Sequence, residues 1–235
     1  MDYISIGSNV EKINAKIASA AARSGRSPAD ITLIAVTKTV GAEQVREAYT
    51  AGIRNFGENR AQELKLKRSQ LDDLDCIWHF IGHLQTNKAK DALANASLIH
   101  SVDSLPLAAE IGRRAGSVGV PADILAQINI SEEESKSGIG AAEAFGFVEA
   151  LSQIGNIRIR GLMAIARLAP DPENVRPQFR LMKRIFDEIA LRIRKPDVSM
   201  EYLSMGMSGD FEVAIEEGSN MVRVGTAIFG ERHYD

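Results

Sequence analysis

The stretch "ITLIAVTKTVGAEQVREAY", Ile31 to Tyr49, sets the reading of the whole chain. From Ile31 to Val36 every residue is apolar except Thr32, the pattern of a buried strand. Thr37-Lys38-Thr39 then interrupt the run, and Val45, Ala48 and Tyr49 recur at helical spacing. A lysine thus stands at the tip of an apolar strand, where the chain turns into an amphipathic helix.

The same alternation continues to the C-terminus. Further strand patterns occupy 53–56, 77–81, 97–101, 122–129, 157–163, 200–204 and 221–225. Helical patterns lie between them, among them Ala144, Phe147, Val148 and Leu151, and Phe179, Met182, Ile185, Phe186, Ile189 and Ile193. Strands separated by helices pair in parallel through crossovers, and closure is the economical solution for eight of them. The pattern predicts an α/β fold, a single (β/α)8 TIM barrel spanning residues 1–235. An extra N-terminal helix over 9–23 precedes it, with Val10, Ile13, Ile17 and Ala21 on one face. An open doubly wound sheet is the alternative, but no GxGxxG follows the first strand. "ARLAPDPENVRPQ", 166–178, reads as a loop on the face where strands end.

Composition narrows the function classes. Apolar residues make up 45% and charged residues 25%, ordinary for a globular chain with a sizeable core. The net charge of −3 is mixed along the sequence without a basic block, which argues against nucleic acid as a partner. The single cysteine, Cys76, excludes an intrachain disulfide and reads as a small core or near-surface residue. "MDYISIGSNVEKI" lacks a signal-peptide layout, and no apolar run approaches a membrane span, so the expectation is a cytoplasmic protein without membrane attachment.

In such a barrel the C-terminal strand ends converge on one mouth. If Lys38 points inward, alternation puts Ile34 and Val36 inside the barrel and Leu33, Ala35 and Thr37 towards the helices. An ammonium above an apolar column has a depressed pKa and becomes a usable nucleophile. After strand two, "NFGENRAQE" offers Gly57 for a tight turn and Glu58, Asn59 and Arg60 as hydrogen-bonding groups. In "WHFIGHLQTNK", His79 and His83 lie in strand and loop with no Glu after His79, so no metal site is expected. His79 reads as a packed or hydrogen-bonded histidine, and His83, past Gly82, as a residue that can touch a ligand.

Asp103 or Ser104 in "IHSVDS" is expected to cap the next helix, and "NISEEESKSGIG" to form a solvated acidic loop. Gly161-Leu162-Met163 form either a soft wall for an aromatic ligand or ordinary core. The last strand ends carry the most chemistry. "YLSMGMSGDFEVAI" supplies Ser204, Gly206, Ser208 and Gly209, and "NMVRVGTAIFG" supplies Gly225 and Thr226. Small residues and hydroxyls there let backbone N–H groups converge on an anion, in the loops where these barrels recurrently hold phosphate. Closure sets strand one beside strand eight, and hence Lys38 beside this nest. Arg223 has the same inward parity. A Schiff-base lysine, a phosphate grip and an arginine near a ring point to pyridoxal 5′-phosphate (PLP), although a lysine aldolase acting on sugar phosphates would use the same parts.

The motifs "LIAVTK", "FGENRAQE", "WHFIGHLQTNK", "IHSVD", "NISEEESKSG", "GLMAI" and "LSMGMSGDFEVAIEEGSNMVRVGTAIFGER" together resemble the pyridoxal phosphate homeostasis protein family, from about residue 31 to 232. That family is similar to the barrel domain of alanine racemases standing alone. The resemblance implies that Lys38 forms the internal Schiff base with PLP. It implies that Ser204, Ser208, Gly225 and Thr226 belong to the phosphate-binding region, that Arg223 faces the pyridine nitrogen, and that Asn59 and His83 are polar positions around the cofactor.

A guanidinium only donates, so it disfavours a protonated ring nitrogen and makes the site a poor electron sink. Racemisation also needs a second acid/base group, which the racemases take from a separate C-terminal domain. Five residues follow Gly230, and Tyr3, Tyr49, Tyr202 and Tyr234 offer no obvious replacement. The resulting expectation is a monomeric protein of intracellular PLP homeostasis, holding PLP on Lys38 and supplying or buffering it for PLP-dependent apoenzymes. No residue is assigned to catalysis. A PLP-dependent amino-acid racemase is the alternative, followed by a cofactor-free phosphosugar lyase.

Overall fold

The computed structural model of the chain describes residues 5–131, 133 and 136–230. Helix α1 (Ile6–Arg23) starts at Ser5, whose hydroxyl accepts from the Ser8 N–H at 3.2 Å. Alternating elements follow: β1 (Thr32–Val36), α2 (Ala42–Thr50), β2 (Asn55–Glu58), α3 (Ala61–Gln70), β3 (Ile77–Phe80), α4 (Ala89–Asn95), β4 (Leu98–Val102), α5 (Leu105–Val118) and β5 (Ala122–Asn129). The second half adds β6 (Ile139–Gly140), α6 (Ala144–Leu151), β7 (Ile157–Ala164), α7 (Arg176–Arg192), β8 (Val198–Ser204), α8 (Phe211–Glu216), β9 (Met221–Val224) and α9 (Thr226–Phe229).

The strands pair in parallel in the order β4-β3-β2-β1-β9-β8-β7-β5, and β4 pairs β5 to close the ring. This is the expected eight-stranded barrel, with α1 as the extra N-terminal helix. The remaining strand, β6, is a two-residue stub on β5 within the segment read as an acidic loop. Its pairing depends on contact with Ile128 and Asn129, which no local pattern encodes.

The staves bury two separate apolar layers. Ile34, Leu98, Leu125, Met163 and Met221 meet inside the barrel. Ala35, Phe56, Trp78, Val222 and Val224 belong to the outer layer beneath the helices. Alternation along β1 therefore runs as predicted, with Ile34 inward and Leu33 and Ala35 outward. Met163 belongs to the inner core at 1% exposure, so it is not a ligand-facing wall. Gly57 lies within β2, not in a turn. A Cβ there would come within 2.9 Å of the Ile81 side chain and 3.0 Å of Ile34.

Helix α1 seals one side of the barrel. Its Asn9 amide donates to the Ile228 carbonyl at 2.9 Å, and Arg23 pairs with Glu216 at 2.6 Å. Gly161 solves a sharper problem. The β7–β8 register shifts between Ile159 and Gly161, and at Gly161 φ is 148°. A Cβ there would lie 1.9 Å from the Tyr202 carbonyl oxygen. Gly161→Ala is expected to lower unfolding free energy by ~2–4 kcal/mol in urea denaturation. An effect below ~0.5 kcal/mol would show that the strand passes this point without needing glycine.

Candidate functional site

Strand β1 ends at Val36, so Lys38 lies in the following turn rather than at the last strand position. Lys38 is half-buried, and the turn is tight enough to set Thr39 at φ 64°. What fixes its position is Thr37, which is fully buried. The Thr37 N–H donates to Gly57 O at 3.0 Å, its hydroxyl donates to Glu58 Oε1 at 2.6 Å, and its carbonyl accepts from Val40 N at 2.9 Å. Lys67, reaching in from α3, donates to the same Thr37 carbonyl and to Glu58 Oε1. Glu58, expected to open the next helix, instead ends β2 as a buried anion paired with this lysine. The pair clamps the chain immediately before Lys38.

Beside β1 runs β9, with Thr32 level with Met221 and Ile34 level with Arg223. This register carries Lys38 and the Gly225-Thr226 turn to neighbouring strand ends. On the other side of β9 lies the β8–α8 turn, where Gly206 adopts φ 94°, and its carbonyl accepts from the Arg223 N–H at 3.0 Å. The Ser208 hydroxyl oxygen accepts from Gly225 N at 3.2 Å and from Ala227 N at 3.5 Å. Backbone donors therefore converge on one oxygen in the predicted nest. Asp210 braces the turn by accepting from Met207 N at 2.5 Å, and burial raises its carboxyl pKa.

The structure separates the two serines. Ser204 is fully buried, and its hydroxyl is engaged inside the barrel, away from the Ser208 donors. It accepts from Arg223 Nη1 at 2.5 Å and lies 3.0 Å from His100 Nδ1. Arg223 Nη2 donates to Ala164 O at 2.9 Å. Burial lowers the guanidinium pKa to about 10, with Asp210 opposing the shift, so Arg223 stays cationic at neutral pH. Among the described residues no carboxylate lies within ion-pair distance of it.

His79 is buried and hydrogen-bonded as predicted, 3.0 Å from His100 and 3.0 Å from Asn55 Oδ1. His83 is exposed, 3.3 Å from the Ser137 hydroxyl and 3.4 Å from Asp103. With Asn59, Gln127 and Lys136 it lines a cavity of about 230 Å³. Gly82 permits this approach, since a Cβ would lie 2.3 Å from the Asn59 carbonyl oxygen. Ser104 occupies the N-cap of α5, but its side chain makes no cap bond, and Asp103 faces His83 instead. The Cys76 thiol is pushed up to about 11 by burial and is a poor nucleophile at neutral pH. Of the tyrosines weighed as a second base, Tyr49 stacks under Arg54 at 3.9 Å and Tyr202 packs against the inner core. Tyr3 and Tyr234 lie outside the described residues. Sequence reasoning missed the roles of Asn55, Lys67 and His100. For His100 a signal existed, because it shares inward parity with Leu98 in β4.

Residues 8–233 match the family model described as alanine racemase, N-terminal domain. The pyridoxal phosphate homeostasis protein of Aquifex aeolicus is 42% identical over 225 residues, covering 96% of this chain and 97% of that one. This chain belongs to that family. Among solved structures, PipY of Synechococcus elongatus has been determined with PLP bound. It superposes with a TM-score of 0.79 at 38% identity, covering 91% of this chain and all of PipY. Alanine racemase from Streptomyces lavendulae shares the fold alone, with a TM-score of 0.67 at 18% identity. The match covers 95% of this chain and 58% of the racemase. Among the described residues, no helix is long and apolar enough to cross a membrane.

Two consequences are measurable. Lys67→Met strands a buried carboxylate and is expected to cost ~3–5 kcal/mol in urea denaturation. Adding Glu58→Gln should restore ~1 kcal/mol or more, and strict additivity would mean that the pair is not coupled. The second concerns acid. His79 in the folded protein takes up a proton only near pH 4, whereas an exposed imidazole does so at 6.5. Between these values the unfolded chain binds more protons, so stability falls as pH drops from 6.5 to 4, by up to ~3 kcal/mol from this residue. His79→Gln should show a smaller loss of unfolding free energy than wild type between pH 7.5 and 4.5.

Proposed function

We propose that residues 1–235 form one domain that binds PLP in the barrel mouth and serves intracellular PLP homeostasis. The observation that carries this reading is the convergence of Lys38, the Ser208–Gly225 nest and the buried Arg223 at adjoining strand ends. A relative at 38% identity that has been solved with PLP supports it. The donor set fits the cofactor, because backbone N–H groups already converge on the Ser208 oxygen as they would on a phosphate oxygen. When bound, PLP supplies an aldehyde that condenses reversibly with an amine and a ring that can withdraw electrons.

In this reading Lys38 holds the aldehyde end covalently, from a turn clamped by Thr37, Glu58 and Lys67. Ser208, Gly225 and Thr226 hold the phosphate. Ser204 acts from below by holding Arg223, and Asn59 and His83, which line the neighbouring cavity, would border the ring. Arg223 would face the ring nitrogen with donors only, which would favour its unprotonated form and disfavour broad carbanion chemistry. On this reading the chain is a cytoplasmic, monomeric carrier that buffers PLP and supplies it to apoenzymes, without robust catalysis.

Borohydride reduction of the protein mixed with PLP should leave a phosphopyridoxyl group on the peptide bearing Lys38, its added mass that of the cofactor less one oxygen, because condensation expels water and reduction adds two hydrogens. Lys38→Ala should lose that adduct. An equal adduct in the variant would overturn the role of Lys38, and its absence from wild type would overturn the carrier reading.

A further inference from the structure

Inside the barrel a hydrogen-bonded chain of side chains joins strands that are distant in sequence. Arg223 on β9 reaches Ser204 on β8 at 2.5 Å, and Ser204 reaches His100 on β4 at 3.0 Å. His100 reaches His79 on β3 at 3.0 Å, and His79 reaches Asn55 on β2 at 3.0 Å. Four of these residues are buried and Asn55 is half-buried, beside the apolar filling of Ile34, Leu98, Leu125, Met163 and Met221. In such surroundings every polar group needs a partner.

That requirement sets the order of the protons. A guanidinium can only donate, so the Ser204 oxygen accepts from Arg223. The Ser204 hydroxyl proton must then go to an acceptor, and His100 Nδ1 is the one within reach. His100 therefore carries its proton on Nε2 and donates to His79 Nδ1. His79 likewise carries its proton on Nε2 and donates to Asn55 Oδ1. The reverse order would bring both Arg223 and His100 as donors to Ser204 and leave its hydroxyl proton without an acceptor among the described bonds. A second proton on either imidazole would set N–H against a group that is already donating.

We propose that His100 and His79 are positioning residues that hold Arg223 through Ser204, with the single proton order Arg223→Ser204→His100→His79→Asn55. The cation stays at one end of the chain and both imidazoles stay neutral. The guanidinium is thereby tied down from beneath on its Nη1 and Nη2 groups, by Ser204 and by the Ala164 carbonyl. The effect on cofactor binding rests on the PLP reading above, in which Arg223 meets the ring. The proton order does not depend on it.

The first measurement uses the full chain without added PLP, labelled with ¹⁵N-histidine. At pH 7 the His79 and His100 resonances, assigned with His79→Gln, should both show the neutral tautomer protonated on Nε2. An Nδ1-protonated, doubly protonated or averaged signature at either residue would overturn the proton order. In His79→Leu the His100 Nε2 proton loses its acceptor, so the His100 signature should change. In His79→Gln, whose amide can accept from His100 and donate to Asn55, it should persist. A His100 signature unchanged in His79→Leu would break the chain as proposed.

PLP titration then tests the positioning role. His79→Leu should bind PLP roughly 3- to 10-fold more weakly, the range for one lost hydrogen bond, and His79→Gln should bind close to wild type. Altered tautomers with unaltered PLP affinity would overturn the positioning role and leave the proton order standing. Failure of wild type to bind PLP at all would remove the carrier reading without touching the tautomer result.

Discussion

The pairing of β1 with β9 is the contact on which the site depends. It sets Ile34 level with Arg223, and so brings the turn bearing Lys38 beside Gly225 and Thr226, from nearly opposite ends of the chain. Parallel strands force every connection to cross back through a helix, so all strand ends of one polarity meet at one mouth. Such long-range closure costs chain entropy, which the separate inner and outer apolar layers offset by burial. An open sheet with the same elements would leave the lysine and the nest on different edges.

Within that frame, two buried polar assemblies address different sides of the same mouth. Thr37, Glu58 and Lys67 lie outward of the strands, where Lys67 and Glu58 fix the carbonyl and hydroxyl of the residue before Lys38. Asn55, His79, His100, Ser204 and Arg223 lie inward. Burying such groups carries a desolvation penalty that an apolar replacement would avoid, so neither assembly is an efficient source of stability. Both define positions. A hydrogen-bonded network in a low-dielectric interior tolerates few alternatives, because any rearrangement leaves a donor or an acceptor bare.

The alternation of apolar runs and amphipathic helices was enough to read the barrel, the leading helix and the inward face of β1, since those follow from periods of 2 and 3.6. Errors gathered where local pattern is silent. Gly57 looks like a turn residue but is a strand glycine crowded by Ile34 and Ile81. Ser104 has the chemistry of a cap, yet it makes no cap bond while Asp103 faces His83. Ser204 and Ser208 are neighbours in one motif, but they face different partners because one ends a strand and the other lies in the turn beyond.

The sequence by itself determined the fold class, the strand ends that carry chemistry and the residue types available there. These are properties of periodicity and composition, and they survive without knowledge of distance. Only the tertiary structure decided which polar groups share a proton. His79 and His100 are 21 positions apart, and His100 and Ser204 are 104 apart. Nothing in a one-dimensional pattern states that three strands place His100 3.0 Å from both His79 and Ser204. Hydrogen bonding acts over such a distance and fails beyond it, so the partner of a buried side chain is set by register and closure.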